Sequence, residues 1–259
     1  MARILAHRGG ALNAPENTIA AFRRAFADGA HGAECDVRVT ADGEFVLFHD
    51  ADARRLTGFD RDISAMKWKD LSRLRVLGRE PVAHLDDLLS LLALRRDKTC
   101  YFELCFSDPV LAGRLYYRLK STGFADRLYA LVFAHRGGLL EGVKRICPEL
   151  GAAVMPLLPW NISRTALDAG ADAVCAGWID RPWARGLFKA SAFAFDLADQ
   201  LEIASELGLK LSGGIANTPG DVRWLMDRGF DSLWTDDVPM ALEAAYDAGI
   251  SAFREDDRS

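Results

Sequence analysis

Ile4-Leu5-Ala6-His7-Arg8-Gly9-Gly10 is the stretch on which the choice of fold turns. Three apolar residues fit a short buried strand, and the paired glycines end it. An open doubly wound sheet usually carries a GxGxxG phosphate loop at this place. Here the place holds a titratable ring and a guanidinium instead. Downstream, short apolar runs alternate with helical patterns. Strands are predicted at Ala33–Val39, Cys100–Phe106, Leu128–Phe133, Ala152–Leu158, Ala173–Ala176, Leu209–Leu211 and Ser232–Thr235, with a further extended piece at Phe45–Phe48. Helices fit between them, the first from Asn17 to Asp28 with Ile19, Phe22, Ala25 and Phe26 on one face. Thr218-Pro219-Gly220-Asp221 reads as a helix start, with Thr as N-cap and Pro in the first turn. About eight βα units in roughly 250 residues is the size of a closed barrel. The expected fold is therefore α/β, a single (β/α)8 TIM barrel occupying residues 1–259. Residues 51–83 are less regular and read as a small insertion after His49-Asp50.

Composition narrows the function. Half of the 259 residues are apolar, enough for a large core without disulfides. Five cysteines form no CxxC pair, and an odd, unpaired set suits a reducing cytoplasm, the expected location. The opening residues reach His7 before any apolar stretch of export-signal length, and no apolar run approaches a membrane span. The formal charge is −5 with no Lys/Arg cluster, so nucleic acid is not an expected partner and membrane insertion is not expected either. A small anionic substrate needs local cations instead. Homo-oligomerisation is left open. The charged tail Phe253–Ser259 is read as frayed. Ala-His-Arg-Gly-Gly occurs at 6–10 and again at 134–138; dissimilar flanks make this a coincidence rather than a duplication.

Side chains alternate faces along a strand. Ala33, Cys35, Val37 and Val39 make one apolar face, while Glu34, Asp36 and Arg38 make the other. If the apolar face packs on the outer helices, the two acids point into the lumen. Buried like charges are costly, and a divalent cation with oxygen ligands is one compensation; an ion pair with Arg38 is another. The next strand repeats the pattern: Phe102, Leu104 and Phe106 face one way, Tyr101, Glu103 and Cys105 the other. Glu103 is thus a third inward acid. Glu34, Asp36 and Glu103 near a C-terminal mouth suit a hard ion, Mg²⁺ or Ca²⁺.

His7 and His49 each end a predicted strand. Phosphodiester cleavage needs a base for the nucleophile and an acid for the leaving alkoxide, and imidazole serves either role near neutral pH. Arg8 suits a non-bridging phosphate oxygen. Glu16 and Asn17 have a plain reading at the helix start, with Asn17 as N-cap. Trp160, Trp178, Trp183 and Trp234 near strand ends fit either a substrate pocket or the core. His135 and Arg136 follow the fourth strand and are placed at the mouth; His31 and His84 are given no role.

Together the pieces resemble the glycerophosphodiester phosphodiesterase family. The matching text is His7-Arg8-Gly9, Pro15-Glu16-Asn17-Thr18, Glu34-Cys35-Asp36 and His49-Asp50. Weaker matches follow at Arg55-Leu56-Thr57-Gly58, Pro81 to Asp87, Glu103-Leu104 and Gly229 to Asp236. The resemblance implies a (β/α)8 barrel, metal ligands at Glu34, Asp36 and Glu103, acid/base histidines at His7 and His49, and Arg8 and Glu16 on the phosphate and metal side. It implies hydrolysis of a glycerophosphodiester to sn-glycerol 3-phosphate and an alcohol. The family usually has Lys where this chain has Cys105, a position on the substrate side of the site. It commonly has an aromatic where this chain has Gly214-Ile215-Ala216-Asn217, so an aromatic wall is expected to be missing. Two alternatives stand beside this activity: a lysophospholipase D-like enzyme, favoured by a long apolar groove, and a catalytically weakened protein that binds phosphodiesters.

Overall fold

The computed structural model describes residues 2–179, 181 and 183–256. Eight parallel strands form the barrel: β1 (Arg3–Ala6), β2 (Gly32–Val39), β3 (Thr99–Leu104), β4 (Leu128–Phe133), β5 (Gly151–Met155), β6 (Ala173–Ala176), β7 (Lys210–Ile215) and β8 (Ser232–Thr235). Each pairs with the next, and closure comes from β1, which pairs with both β2 and β8. The expected barrel is the observed one.

Strand parity sorts the side chains into two cores. Outward residues such as Ala33, Cys35, Val37, Phe102 and Leu104 are buried against Phe22, Leu88, Leu92 and Leu115 of the surrounding helices. Inward residues Leu5, Tyr101, Tyr129, Leu131, Ala153, Cys175 and Trp234 fill the lumen. Tyr101 and Tyr129 stack with centroids 4.5 Å apart, worth about 0.5–1.5 kcal/mol beyond their buried area. This plug closes the bottom of the barrel, so the polar inward residues one or two positions further along each strand gather at the C-terminal mouth.

Phe45–Leu47 is not a stave. It returns antiparallel along β2, with Val37 opposite Leu47, and pairs in turn with Ala83–His84. Between these two short strands, residues 48–82 carry a separate small core that includes Phe48, Leu56, Ile63, Met66, Leu71 and Val82. This is the insertion after His49-Asp50. The first helix runs Ile19–Ala27 and is capped by Thr18, whose side chain accepts from Ala21 N, rather than by Asn17. The helix Pro219–Met226 starts as its sequence prescribes, with Thr218 accepting from Asp221 N. A helix at Ala184–Ala194 was not expected, and β7 runs four residues past Leu211. The charged tail is helical as far as Asp256, and residues 257–259 lie outside the described ones.

Candidate active site

His7 is the first residue beyond β1, on the same face as the lumen residue Leu5. The chain then turns sharply through His7–Gly9, with left-handed φ values of 50° at Arg8 and 82° at Gly9. A side chain at Gly9 would place its Cβ 2.9 Å from that of Ala21, so the turn seats on the first helix only with glycine there. The turn aims Arg8 N–H at Glu34 Oε2 (3.1 Å) and lets Arg8 O accept from Asn17 N (2.8 Å). The Arg8 guanidinium is buried, 3.4 Å from Asp36 and 3.5 Å from Glu16. It is a brace among carboxylates rather than a surface ion pair.

His7 Nδ1 lies 2.7 Å from Asp236 Oδ1. Burial by itself would raise the Asp236 carboxyl. The His7 hydrogen bond and charge, the Asn217 amide and Arg8 outweigh burial and hold the carboxyl below its usual range. An ionised acceptor here fixes the His7 proton on Nδ1 and leaves the Nε2 lone pair for the cavity. Asn217 fastens the acid twice: its Nδ2 donates to Asp236 Oδ2 (2.7 Å), and its Oδ1 accepts from Asp236 N (2.8 Å).

His49 arrives by the antiparallel return. Phe48 N donates to Asp36 O, which brings the next residue level with the inward acids. Arg38 Nε donates to His49 O (3.0 Å) and Arg38 also reaches Cys105 O, so Arg38 secures backbone instead of neutralising the acids. His49 Nδ1 pairs with Asp50 Oδ1 at 2.7 Å, which repeats the arrangement at His7. Arg55, from the insertion, donates to both Asp50 and Glu16. Burial opposes ionisation of Asp50, yet the Arg55 and His49 hydrogen bonds prevail and lower its titration.

The three acids expected to bind a cation all point inward. Asp36 stands opposite Glu103 in the β2–β3 register, and Glu34 opposite Tyr101. Ligand atoms of Asp36, Glu103 and Cys105 lie within 4.8 Å of one another, and Glu34 stands outside that triplet. Asn17 Nδ2 donates to Asp36 Oδ2 (2.8 Å), and Asn17 Oδ1 accepts from Asp36 N. Arg136 approaches Glu103 at 3.5 Å. Burial, then the charges of Asp36 and Glu103, push the Glu34 carboxyl well up. Burial and then Asp36 push Glu103 up to about 7. Glu34 Oε1 is buried with no hydrogen-bond partner. Around the mouth, Glu16, Glu34, Asp36, Asp50, Glu103 and Asp236 outnumber the guanidinium groups of Arg8, Arg55 and Arg136 paired with them. An orphaned acceptor amid surplus negative charge fits a divalent cation.

Both histidines, with Arg8, Glu16, Asp50, Arg55 and Glu103, line a cavity of about 530 Å³. Phe133, Met155, Leu157, Trp178, Ile179 and Arg181 also line it, as does Trp234, which stacks on His7. Residues 7–105 match the model of the Glycerophosphoryl diester phosphodiesterase family. A relative from Caldanaerobacter subterraneus subsp. tengcongensis, named glycerophosphodiester phosphodiesterase, is 27% identical over 260 residues, covering 95% of this chain and 98% of that protein. By that match and that relative the chain is similar to the glycerophosphoryl diester phosphodiesterase family. Its fold recurs in the crystal structure of a glycerophosphodiester phosphodiesterase from Parabacteroides distasonis, with TM-score 0.77 and 21% identity over 97% of this chain and 98% of that one. It recurs also in an Oleispira antarctica phosphodiesterase solved with the product sn-glycerol-3-phosphate, with TM-score 0.75 and 19% identity over 94% and 96% of the two chains.

The departures from the family's pattern have visible causes. A Cβ on Gly177 would fall 2.2 Å from Gly214 Cα, so β6 and β7 approach too closely here for a side chain at 214. The ladder between β7 and β8 shifts register at this point, between Gly213 and Ile215. The aromatic wall is nevertheless not missing. Trp178 and Trp234 face the cavity, and the Trp178 indole N–H donates to Ile215 O (2.7 Å). Trp160 and Trp183 do not line it, nor do His135 and Arg136. His135 stacks on Phe133, and Arg136 supports Glu103 from behind. Burial, then the charges of Asp36 and Glu103, push the Cys105 thiol well up, so it is neutral while no cation is near.

Sequence reasoning gave no role in the site to Asp50, Arg55, Asn217 and Asp236, and it read Asn17 only as a helix cap. For Asp236 the signal was present: it lies two residues beyond the inward Trp234, the same parity that exposed Glu34 and Asp36.

The raised carboxyls give a testable pH dependence. An unfolded Glu titrates near 4.5, whereas Glu103 in the folded chain titrates at about 7. Between those values the cation-free folded state holds the extra proton, so stability falls as pH rises through the window. Thermal midpoints measured in chelator from pH 4.5 to 7 should fall, and Glu103→Gln should flatten the fall. Parallel profiles for the two proteins would contradict this.

Proposed function

We propose that this chain hydrolyses glycerophosphodiesters to sn-glycerol 3-phosphate and an alcohol, as a cation-dependent phosphoric diester hydrolase. One observation carries the reading: two imidazoles, each with Nδ1 engaged by its own carboxylate, open onto the cavity that holds Glu103. The family match over residues 7–105 and the product held by the Oleispira antarctica neighbour support the substrate class. A divalent cation at Glu34, Asp36 and Glu103, the residues that would hold it, would neutralise phosphoryl charge.

The chain's own residues do the rest. One histidine accepts the proton of the attacking oxygen through Nε2, and the other gives its proton to the departing alkoxide. Asp236 and Asp50 orient the rings and stabilise the imidazolium form of each. Arg8 and Arg55 place positive charge at the cavity rim, toward a non-bridging phosphate oxygen. The apolar wall excludes water where an alcohol or a chain can lie.

That wall favours a second reading. Phe133, Met155, Leu157 and Ile179 give the cavity an apolar lining, and Leu157 is 60% exposed, which suits the acyl chain of a lysophospholipid. A turnover screen over glycerophosphodiesters of small polar alcohols and over lysophospholipids separates the two. Release of sn-glycerol 3-phosphate from the small diesters supports the first. Turnover of lysophospholipids alone supports the second. Tight binding without turnover of either overturns both.

A further inference from the structure

Cys105 lies among the acids, not beside them. Glu103 and Cys105 project from the same face of β3 and its extension, and Asp36 faces Glu103 across the β2–β3 ladder. Cys105 Sγ is 3.7 Å from Asp36 Oδ1 and 3.8 Å from Glu103 Oε1. One thiol proton cannot satisfy two carboxylates at once. Metal–sulfur and metal–oxygen bonds of about 2.3 and 2.0–2.2 Å in a tetrahedral centre would separate sulfur from oxygen by about 3.5–3.7 Å. The observed spacing is close to that edge. Independently, Glu34 Oε1 is buried without a hydrogen-bond partner on the neighbouring inward position of β2.

We propose that the cation centre of this chain is a mixed carboxylate–thiolate site, in which Cys105 Sγ joins Asp36 and Glu103 as a ligand and which retains thiophilic ions such as Zn²⁺ or Co²⁺ in preference to Mg²⁺ and Ca²⁺. The inference rests on the preceding reading only in placing a cation there. Thiolate is a soft ligand that Mg²⁺ and Ca²⁺ accept poorly and that zinc and cobalt accept well. On binding, the thiol proton passes to solvent and the sulfur lone pair forms the new bond, so uptake of the ion releases a proton and weakens as pH falls.

The test is spectroscopic. The full chain, stripped with chelator, is titrated with Co²⁺ alone and followed by thiolate-to-cobalt charge-transfer absorption. The proposal expects a band that saturates near one equivalent, survives a large excess of Mg²⁺, and disappears in Cys105→Ser. Cys147→Ser and Cys175→Ser should keep it. Zn²⁺ affinity by competition should fall at least about tenfold in Cys105→Ser, whose melting profile serves as the folding control. Stoichiometric Co²⁺ binding without the band, or a band lost in Cys175→Ser instead, overturns the mixed site. Hydrolysis of glycerophosphodiesters by the unsubstituted chain with Mg²⁺ would then leave the enzymatic reading standing. A Cys105-dependent band in a protein that cleaves no phosphodiester with any ion would keep the mixed site and remove that reading.

Discussion

Replacing His7 or His49 with alanine is expected to lower turnover of a glycerophosphodiester by about 10²–10⁴-fold, the usual worth of one positioned proton-transfer group. The two variants should differ in stability. The His49 side chain is 41% exposed, so its loss leaves little unpaired. His7 is buried and holds Asp236, so its removal strands a carboxylate that was kept ionised by the contact. His7→Gln is therefore the better companion variant, because it fills the space without an imidazole. Asp236→Asn should lower kcat far more than it raises KM, because it disturbs the tautomer of His7 and not the substrate contacts. A near-normal rate in either histidine variant would remove that residue from the proposed chemistry.

Chelation is expected to have the second large effect. With Glu34, Asp36 and Glu103 inward and surplus negative charge around the mouth, a phosphodiester anion meets repulsion unless a cation is present. Dialysis against EDTA should abolish hydrolysis, and return of a divalent ion should restore it. The same ion should raise the unfolding free energy by about 2.7 kcal/mol at a hundredfold excess over its dissociation constant. Hydrolysis that continues unchanged in chelator would sever the acids from the mechanism, while a melting point indifferent to every divalent ion would sever them from cation binding.

The barrel was legible because parity and alternation are local. The run Ala33 to Val39 shows its two faces without knowledge of any partner, and Glu103 follows from the same rule on β3. Other features needed the partner. Asn17 reads locally as a helix cap, but its φ of 56° turns the side chain away from the helix, and its amide clasps Asp36 instead. Arg38 shares a face with the acids in sequence; only the return of Phe45–Leu47 offers it the His49 carbonyl. The predicted strand Leu209–Leu211 stops short of Gly213-Gly214; in the barrel Gly213 packs under Leu225 and Leu233, and Gly214 lies against Gly177 and Trp178 just beyond β6, contacts that leave no room for side chains. The helix Ala184–Ala194 buries Ala184, Phe188, Ser191 and Ala192 at helical spacing, a pattern masked by Gly186 and by the exposed Phe193.

The contact between His7 and Asp236 joins residues 229 apart, across the seam where β8 meets β1. A ribosome delivers both imidazoles and all three inward acids within the first 103 residues, yet the group that holds the first imidazole emerges more than a hundred residues later. A nascent chain thus carries both imidazoles and these three acids before the carboxylate that orients His7 exists. Under the proposed chemistry, competence waits for the last stave and for closure of the cylinder, and half-made copies stay chemically silent.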